Sequence, residues 1–189
     1  MNLSEMRSRA WWICEDNEAN PTEIPVAVLT GIINDALRDI APYLNIEKSE
    51  DLTFTAGVAT LPDDFLAPIA VYDDDVRLTQ ISRVTDKVDS DQTTSQFYIP
   101  NATQIYIYGT TPTGTVTLWY QAYPSALDDD SDIPTDIPAH FHSAIPETYV
   151  KAIYKKRLNQ LGDFGQLMNQ WQDIKLKIRA ATNKQKYNQ

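Results

Sequence analysis

Few residues in this chain of 189 have the type and spacing that chemistry needs. His140 and His142 are the only histidines. An alternating pair can hold a metal from a strand, but these two fall at an expected helix start, where i and i+2 point apart. No cysteine lies nearby, so solvent-facing or capping histidines are expected and no metal site is assigned. Asp128-Asp129-Asp130-Ser131-Asp132 resembles the opening of a calcium loop. Such a loop needs glycine at its sixth position and an acid at its twelfth, where this sequence has Ile133 and Ala139. A solvated acidic linker is the better reading, and Asp73-Asp74-Asp75 is read the same way. Cys14 falls on an apolar helical stripe, which suits packing better than nucleophilic catalysis. Neither Gly-x-Ser-x-Gly nor a glycine-rich phosphate loop occurs. Any chain with 26 acidic residues offers some carboxylate pair, so a glycan hydrolase is a weak alternative. No catalytic residue and no cofactor are assigned, and the chain is not expected to be an enzyme.

Charge is more informative. The net charge of −10 is unevenly spread: residues 47–136 carry −12 and residues 137–189 carry +6. Lys175, Lys177, Arg179, Lys184 and Lys186 line or follow the last expected helix. They form either a solvated helix face or a surface that docks on an acidic partner. With Trp171 they are the candidate partner interface. The acidic middle repels phosphates and argues against general DNA binding there. One cysteine allows no internal disulfide and fits a reducing compartment. No apolar run reaches the ~20 residues of a membrane span, no secretion signal is expected, and no membrane partner is assigned.

Helices and strands must position these groups. Asn2 can cap a first helix, with Glu5 in capping-box spacing. Leu3, Met6, Ala10, Ile13 and Cys14 share a stripe, while the adjacent Trp11 and Trp12 cannot both face one core. Residues 15–21 read as a linker. Thr22 is expected to cap a second helix with Pro25 in its first turn. Val26, Leu29, Ile33, Ala36, Leu37 and Ile40 form its apolar stripe, and Pro42 ends it.

From about residue 50 the period becomes two. Leu52–Ala56 and Val58–Leu61 read as a hairpin turning at Gly57. Residues 68–72 and 76–79 flank Asp73-Asp74-Asp75 as another. Ile81, Val84 and Val88 suggest a short helix. Residues 96–99, 104–108 and 115–123 are strong strands, joined at Asn101-Ala102 and across residues 109–114. Short links between sequential strands predict an antiparallel meander, sandwich or small barrel. After an acidic, proline-bearing connection at 124–138 the helical period returns. Phe141, Ile145, Tyr149, Ala152 and Ile153 share a face that Leu158 and Leu161 extend. Pro146 kinks or opens this helix unless the helix begins there. Gly162 is expected to end it, and Asp163, with Gln166 three residues on, to cap the next. Leu167, Trp171, Ile174, Ile178 and Ala181 make a heptad-like seam suited to packing on other helices.

The fold class expected is α+β: a helical bundle formed by N- and C-terminal helices, with an inserted antiparallel β domain, sandwich or small barrel. The boundaries read are 1–46 for the N-terminal helices, 47–124 for the β domain and 125–189 for the acidic connection and C-terminal helices.

This arrangement resembles the head–tail adaptor, or connector, proteins of tailed bacteriophages, of the portal-adaptor or tail tubular protein A type. Leu61-Pro62-Asp63-Asp64-Phe65-Leu66 is similar to the turn that follows the first strands in that family. Tyr98-Ile99 with residues 105–108, then Val116 to Tyr120, resembles its paired strands ending in an aromatic. Leu127, Ile133-Pro134 and Ile137-Pro138 through His142 resemble its return into the C-terminal helices. The likeness spans nearly the whole chain and rests on order and spacing. Leu61, Pro62, Asp64, Phe65 and Leu66 are its structural motif, a feature of fold rather than activity: proline starts the turn and Phe65 or Leu66 anchors it.

The resemblance implies a virion protein assembled in the host cytoplasm, a homo-oligomeric dodecameric ring below the portal protein. Such a ring extends the DNA channel, lets DNA pass without sequence-specific binding, and gives tail or nozzle proteins an attachment platform. An alternative is a β-domain binding or decoration module on the virion, contacting its ligand through Tyr106, Tyr108, Trp119 and Tyr120.

Overall fold

A capping box opens the chain. Asn2 Oδ1 accepts from the Glu5 amide at 2.8 Å, and the Asn2 amide donates to Glu5 Oε2 at 2.9 Å. This satisfies two of the amides that a helix start leaves without intrahelical partners. The computed structural model describes residues 1–14, 24–81, 96–109 and 115–187, with side chains through 183. It divides into two compact units, Met1–Asn45 with Pro124–Gln189, and Ile46–Tyr123. The fold is α+β.

In the helical unit, α1 (Leu3–Ile13) buries Leu3, Met6, Ala10 and Trp11, and Cys14 is buried just beyond it. The two tryptophans part as adjacent helical positions must: Trp11 Nε1 donates to Ile24 O, and Trp12 is 72% exposed. The linker at 15–21 and the Thr22 cap lie outside the described residues. Helix α2 (Val26–Ile40) starts only after Pro25, which occupies the N-cap position instead of the first turn. Its buried stripe begins at Leu29 and runs through Ile33, Ala36, Leu37 and Ile40, so Val26 stays exposed. Pro42 lies in the 3-10 turn Ala41–Tyr43 that ends the helix.

The C-terminal part returns through a 3-10 turn (Ala139–Phe141) and a wide π-type turn (Ile145–Val150) into α3 (Lys151–Arg157). Pro146 sits in the first turn of that helical stretch, where its missing N–H costs little. Ile145 and Ala152 are buried as expected, but Leu158 and Leu161 are exposed. The helix stops before them. Asn159 adopts φ +58°, its amide donates to Lys156 O and the Gln160 amide to Lys155 O. This is the paired hydrogen-bond pattern of a Schellman C-cap with asparagine in the glycine position. Gly162, expected to end the helix, lies instead in the first turn of α4 (Leu161–Tyr187), together with Asp163. There Asp163 favours the helix dipole rather than acting as the cap. Trp171 and Ile178 are fully buried on the expected seam.

Among the described residues, the β unit holds two four-stranded sheets. Strands β1 (Glu47–Leu52), β8 (Val116–Ala122), β3 (Phe65–Asp73) and β4 (Val76–Arg77) form one, in that order. Strands β2 (Val58–Thr60), β7 (Gln104–Tyr108), β6 (Gln96–Asn101) and β5 (Thr79–Gln80) form the other. Neither is closed. They share one apolar core that includes Phe65, Val71, Phe97, Ile105 and Leu118, so the order is not a simple meander. Among the described residues, all strand pairs are antiparallel except β5 with β6. The hairpin at 73–75 forms. The one expected at residues 52–61 reduces to a single bridge between Thr55 and Val58 around Ala56 and Gly57, at φ +54° and +80°. That tight turn sends β1 and β2 into different sheets. Tyr120 is buried in the core rather than exposed. Ile81 is buried outside any helix, and Val84 and Val88 lie outside the described residues, as does most of the 109–114 connection.

Candidate functional site

The candidate interface on α4 separates by depth. Trp171 is 0% exposed; its Nε1 donates to Asp39 Oδ2 at 2.6 Å and its ring lies 5.2 Å from that of Tyr149. One turn on, Lys175 is also buried. Its ammonium donates to the same Asp39 oxygen at 2.9 Å and lies over the Tyr43 ring at 5.3 Å. These two side chains fasten α4 to α2 inside the unit. Lys177 and Arg179 are exposed. The helix carries Lys184 and Lys186, whose side chains lie outside the described set. Among the described side chains of this set, the exposed cations are therefore Lys177 and Arg179, on either side of the buried Ile178.

The motif at 61–66 is tied into the β unit by backbone and side-chain hydrogen bonds. The Leu61 amide donates to Thr103 O and the Phe65 amide to Pro62 O, closing the turn. Leu61 and Phe65 are buried, Leu66 half-buried, and the Phe65 ring lies 5.8 Å from Tyr120. Asp64 gathers the strands around it. Lys48 Nζ donates to Oδ2 at 2.5 Å, Tyr120 OH to Oδ1 at 2.9 Å, and the Tyr123 amide to its carbonyl at 2.7 Å. Burial raises the Asp64 pKa, but the Lys48 and Tyr120 hydrogen bonds and the Lys48 charge outweigh it and leave the carboxyl below its ordinary value. Burial, then the Asp64 hydrogen bond and charge, push the Tyr120 phenol up to about 12. Lys48, Glu50, Asp63, Asp64 and Tyr120 line an open depression here. Of its polar groups, Lys48, Asp64 and Tyr120 are engaged with one another in holding strands together.

Two expectations change. His142 is buried rather than solvent-facing, with Nε2 2.8 Å from Ile137 O. The loop at 128–132 is built into the helical unit rather than being a solvated linker. Its carbonyls at Asp132 and Asp130 accept from the Leu3 and Ser4 amides. Asp130 pairs with the nearly buried Arg7. Asp132 Oδ2 accepts from the Asp128 and Asp129 amides, which lowers its pKa. The charge run thus caps α1, supplying acceptors to donors that the helix start leaves open. Asn34 fixes the same loop by reciprocal bonds with the Leu127 backbone, at 2.9 and 3.1 Å. Sequence reading missed these contacts. Their only trace is an arginine on the apolar stripe of α1, at helical spacing from Leu3 and Trp11, and an acidic run more than a hundred residues away. Asp130→Ala should lower the thermal stability of the full chain by about 1–2 kcal/mol, because Arg7 stays buried without its partner. An unchanged melting curve would count against this role of the loop.

Among the described residues, no group of three or more histidine, cysteine or acidic side chains is placed to hold a metal. No helix among them is long and apolar enough to cross a membrane. Most hydrogen bonds of the loop and of the motif hold backbone in place.

No curated protein matches the chain. A family model described as SU10 adaptor protein matches residues 1–189, so the chain belongs to the SU10 adaptor protein family, a family of structural adaptors of bacteriophages.

Proposed function

We propose that the chain is a head-to-tail adaptor whose copies form a dodecameric ring below the portal protein, extending the DNA channel and carrying the tail or nozzle proteins. The carrying observation is the family match over the whole length. Charge supports the placement. The β unit, residues 46–123, has 11 acidic and 4 basic side chains, whereas α4 turns Lys177 and Arg179 outward. Different partners at the two units fit that asymmetry. An acidic channel wall lets DNA slide by like-charge repulsion, and DNA passes without sequence-specific contact.

Portal docking is assigned to the exposed cations of α4. Removing residues 175–189 is a poor test, since Lys175 and Ile178 are packed inside the unit. The double substitution Lys177→Glu with Arg179→Glu is the clean one. It should leave the melting temperature within about 2 °C, as exposed substitutions usually do, and weaken capture by purified portal at least about tenfold. Electron microscopy of the chain mixed with its portal should show a closed ring beneath it. Rings that never form on the portal, or binding to cell-wall glycan without any portal, would overturn the reading.

A further inference from the structure

The chain between α3 and α4 makes a projecting corner. The two helices pack on each other, and every residue from Lys156 to Asp163 is exposed. Leu158 and Leu161 are 44% and 61% exposed, although the C-cap turn at Asn159 requires neither leucine. Lys156 Nζ lies over the half-buried Phe164 ring at 5.5 Å, and Phe164 shares a helical face with Leu161. Lys151, Lys155 and Arg157 add positive charge. The one acid between residues 148 and 172 is Asp163, two positions past Leu161 and so on another side of α4. The corner is therefore apolar and cationic. It lies about 24 Å along α4 from Lys177, at 1.5 Å per residue.

The depression on the β unit has the opposite character. It is open, about 640 Å³ in size, with Leu61 and Pro62 in its lining and Lys48 set against Glu50, Asp63 and Asp64. Lys48 is paired with Asp64, so the exposed Glu50 and Asp63 leave the depression anionic. We infer that these two surfaces form the contact between copies. The Leu158–Leu161 corner of one chain seats in the depression of the next, its leucines over Leu61 and Pro62, with Lys155 and Lys156 against Glu50 and Asp63. Charge selects this occupant. A second copy brings a β unit with 11 acidic and 4 basic side chains, which repels another such unit and attracts the corner. Every copy in a repeating contact must carry both halves of the match, and this chain does, one half projecting and one concave. Docking on a different protein would need only one of them. Contacts between unlike surfaces are heterologous, and repeated through one rotation they close into a ring. The inference rests on the ring reading above and adds the surfaces that make the ring.

The test uses the full chain and two charge reversals, followed by sedimentation in solution and by microscopy on purified portal. Lys155→Glu with Lys156→Glu reverses the corner, and Glu50→Lys with Asp63→Lys reverses the depression. The wild type should self-associate in at least one of these settings. Each reversed variant alone should associate at least about tenfold more weakly, because like charges then face each other. Mixed one to one, the two variants should associate like the wild type. Each unreversed surface then meets its unreversed match on the other variant, and each reversed surface its reversed match. Melting curves check that the variants fold, and Leu161→Gln, at an exposed site, is a second corner variant that should also weaken association. A wild type that is monomeric in solution and closes no ring on portal would overturn the inference. So would a mixture that stays dissociated while a single chain carrying both reversals recovers, since the contact would then lie within one chain. Rings on portal that both reversals leave intact would overturn this contact and leave the adaptor reading standing. A wild type that self-associates through these surfaces but ignores portal would sink the adaptor reading and leave the contact standing.

Discussion

Trp171→Ala should destabilise the helical unit by about 3–5 kcal/mol, the range for removing a large aromatic from a packed core. Trp171 has no exposed surface, and its loss leaves a cavity beside Tyr149. It also removes the Nε1 bond to Asp39, which still has Lys175 as a partner. Trp171→Phe keeps most of the volume and loses the bond, so it should cost about 1–2 kcal/mol. Chemical denaturation of both variants, followed by circular dichroism at 222 nm, separates packing from hydrogen bonding. A Trp171→Ala chain within 1 kcal/mol of the wild type would mean that α4 is held elsewhere. The comparison also bears on portal docking. If Trp171 acted at a partner surface, its loss would weaken capture with little change in stability. Its burial predicts the reverse order, with the stability loss leading.

The same helix shows how much could be read in advance. The seam of Trp171 and Ile178 was visible because apolar residues at steps of four and three mark a helical face wherever it packs. That Lys175 would join the seam was not visible. A lysine counts as surface in any pattern, and only Asp39 on α2, 136 positions away, makes its burial tolerable. The helix end at 157 was missed for a local reason. Asparagine at Asn159 takes the left-handed conformation that sequence reading reserves for Gly162. In the β unit, the inward residues of β7 and β8 announced themselves by alternation. Strand β1 did not, because its Glu47–Leu52 sequence is an edge strand with charged side chains on both faces. The loop at 128–132 was misread because its work is done mainly by backbone carbonyls, which every residue has. The motif at 61–66 was legible as a turn, but Asp64 as the meeting point of β1, β8 and that turn depends on pairing that only the fold supplies.

Asp64 and Tyr120 make the sharpest pH prediction, because they act at opposite ends of the scale. Asp64 is held below its ordinary pKa, so its carboxylate adds stability above the unfolded value, and that stability is lost as pH falls through the folded one. Tyr120 runs the other way. Its neutral phenol is held in the fold up to about 12, while an unfolded chain releases the proton near 10. Its contribution is therefore complete below pH 10 and is lost as pH rises from 10 towards 12, at a slope of up to about 1.4 kcal/mol per pH unit. Tyr120→Phe should flatten that alkaline loss while costing about 1 kcal/mol at neutral pH. Asp64→Ala should cost more, about 2–3 kcal/mol, because it leaves the Tyr120 hydroxyl buried without its acceptor. It should flatten the acid limb and part of the alkaline one, since the Asp64 bond and charge contribute to holding Tyr120 neutral. Denaturant melts from pH 3 to 12 on the full chain measure both limbs. An alkaline limb that persists unchanged in Tyr120→Phe would assign it to another tyrosine and remove Tyr120 from this role.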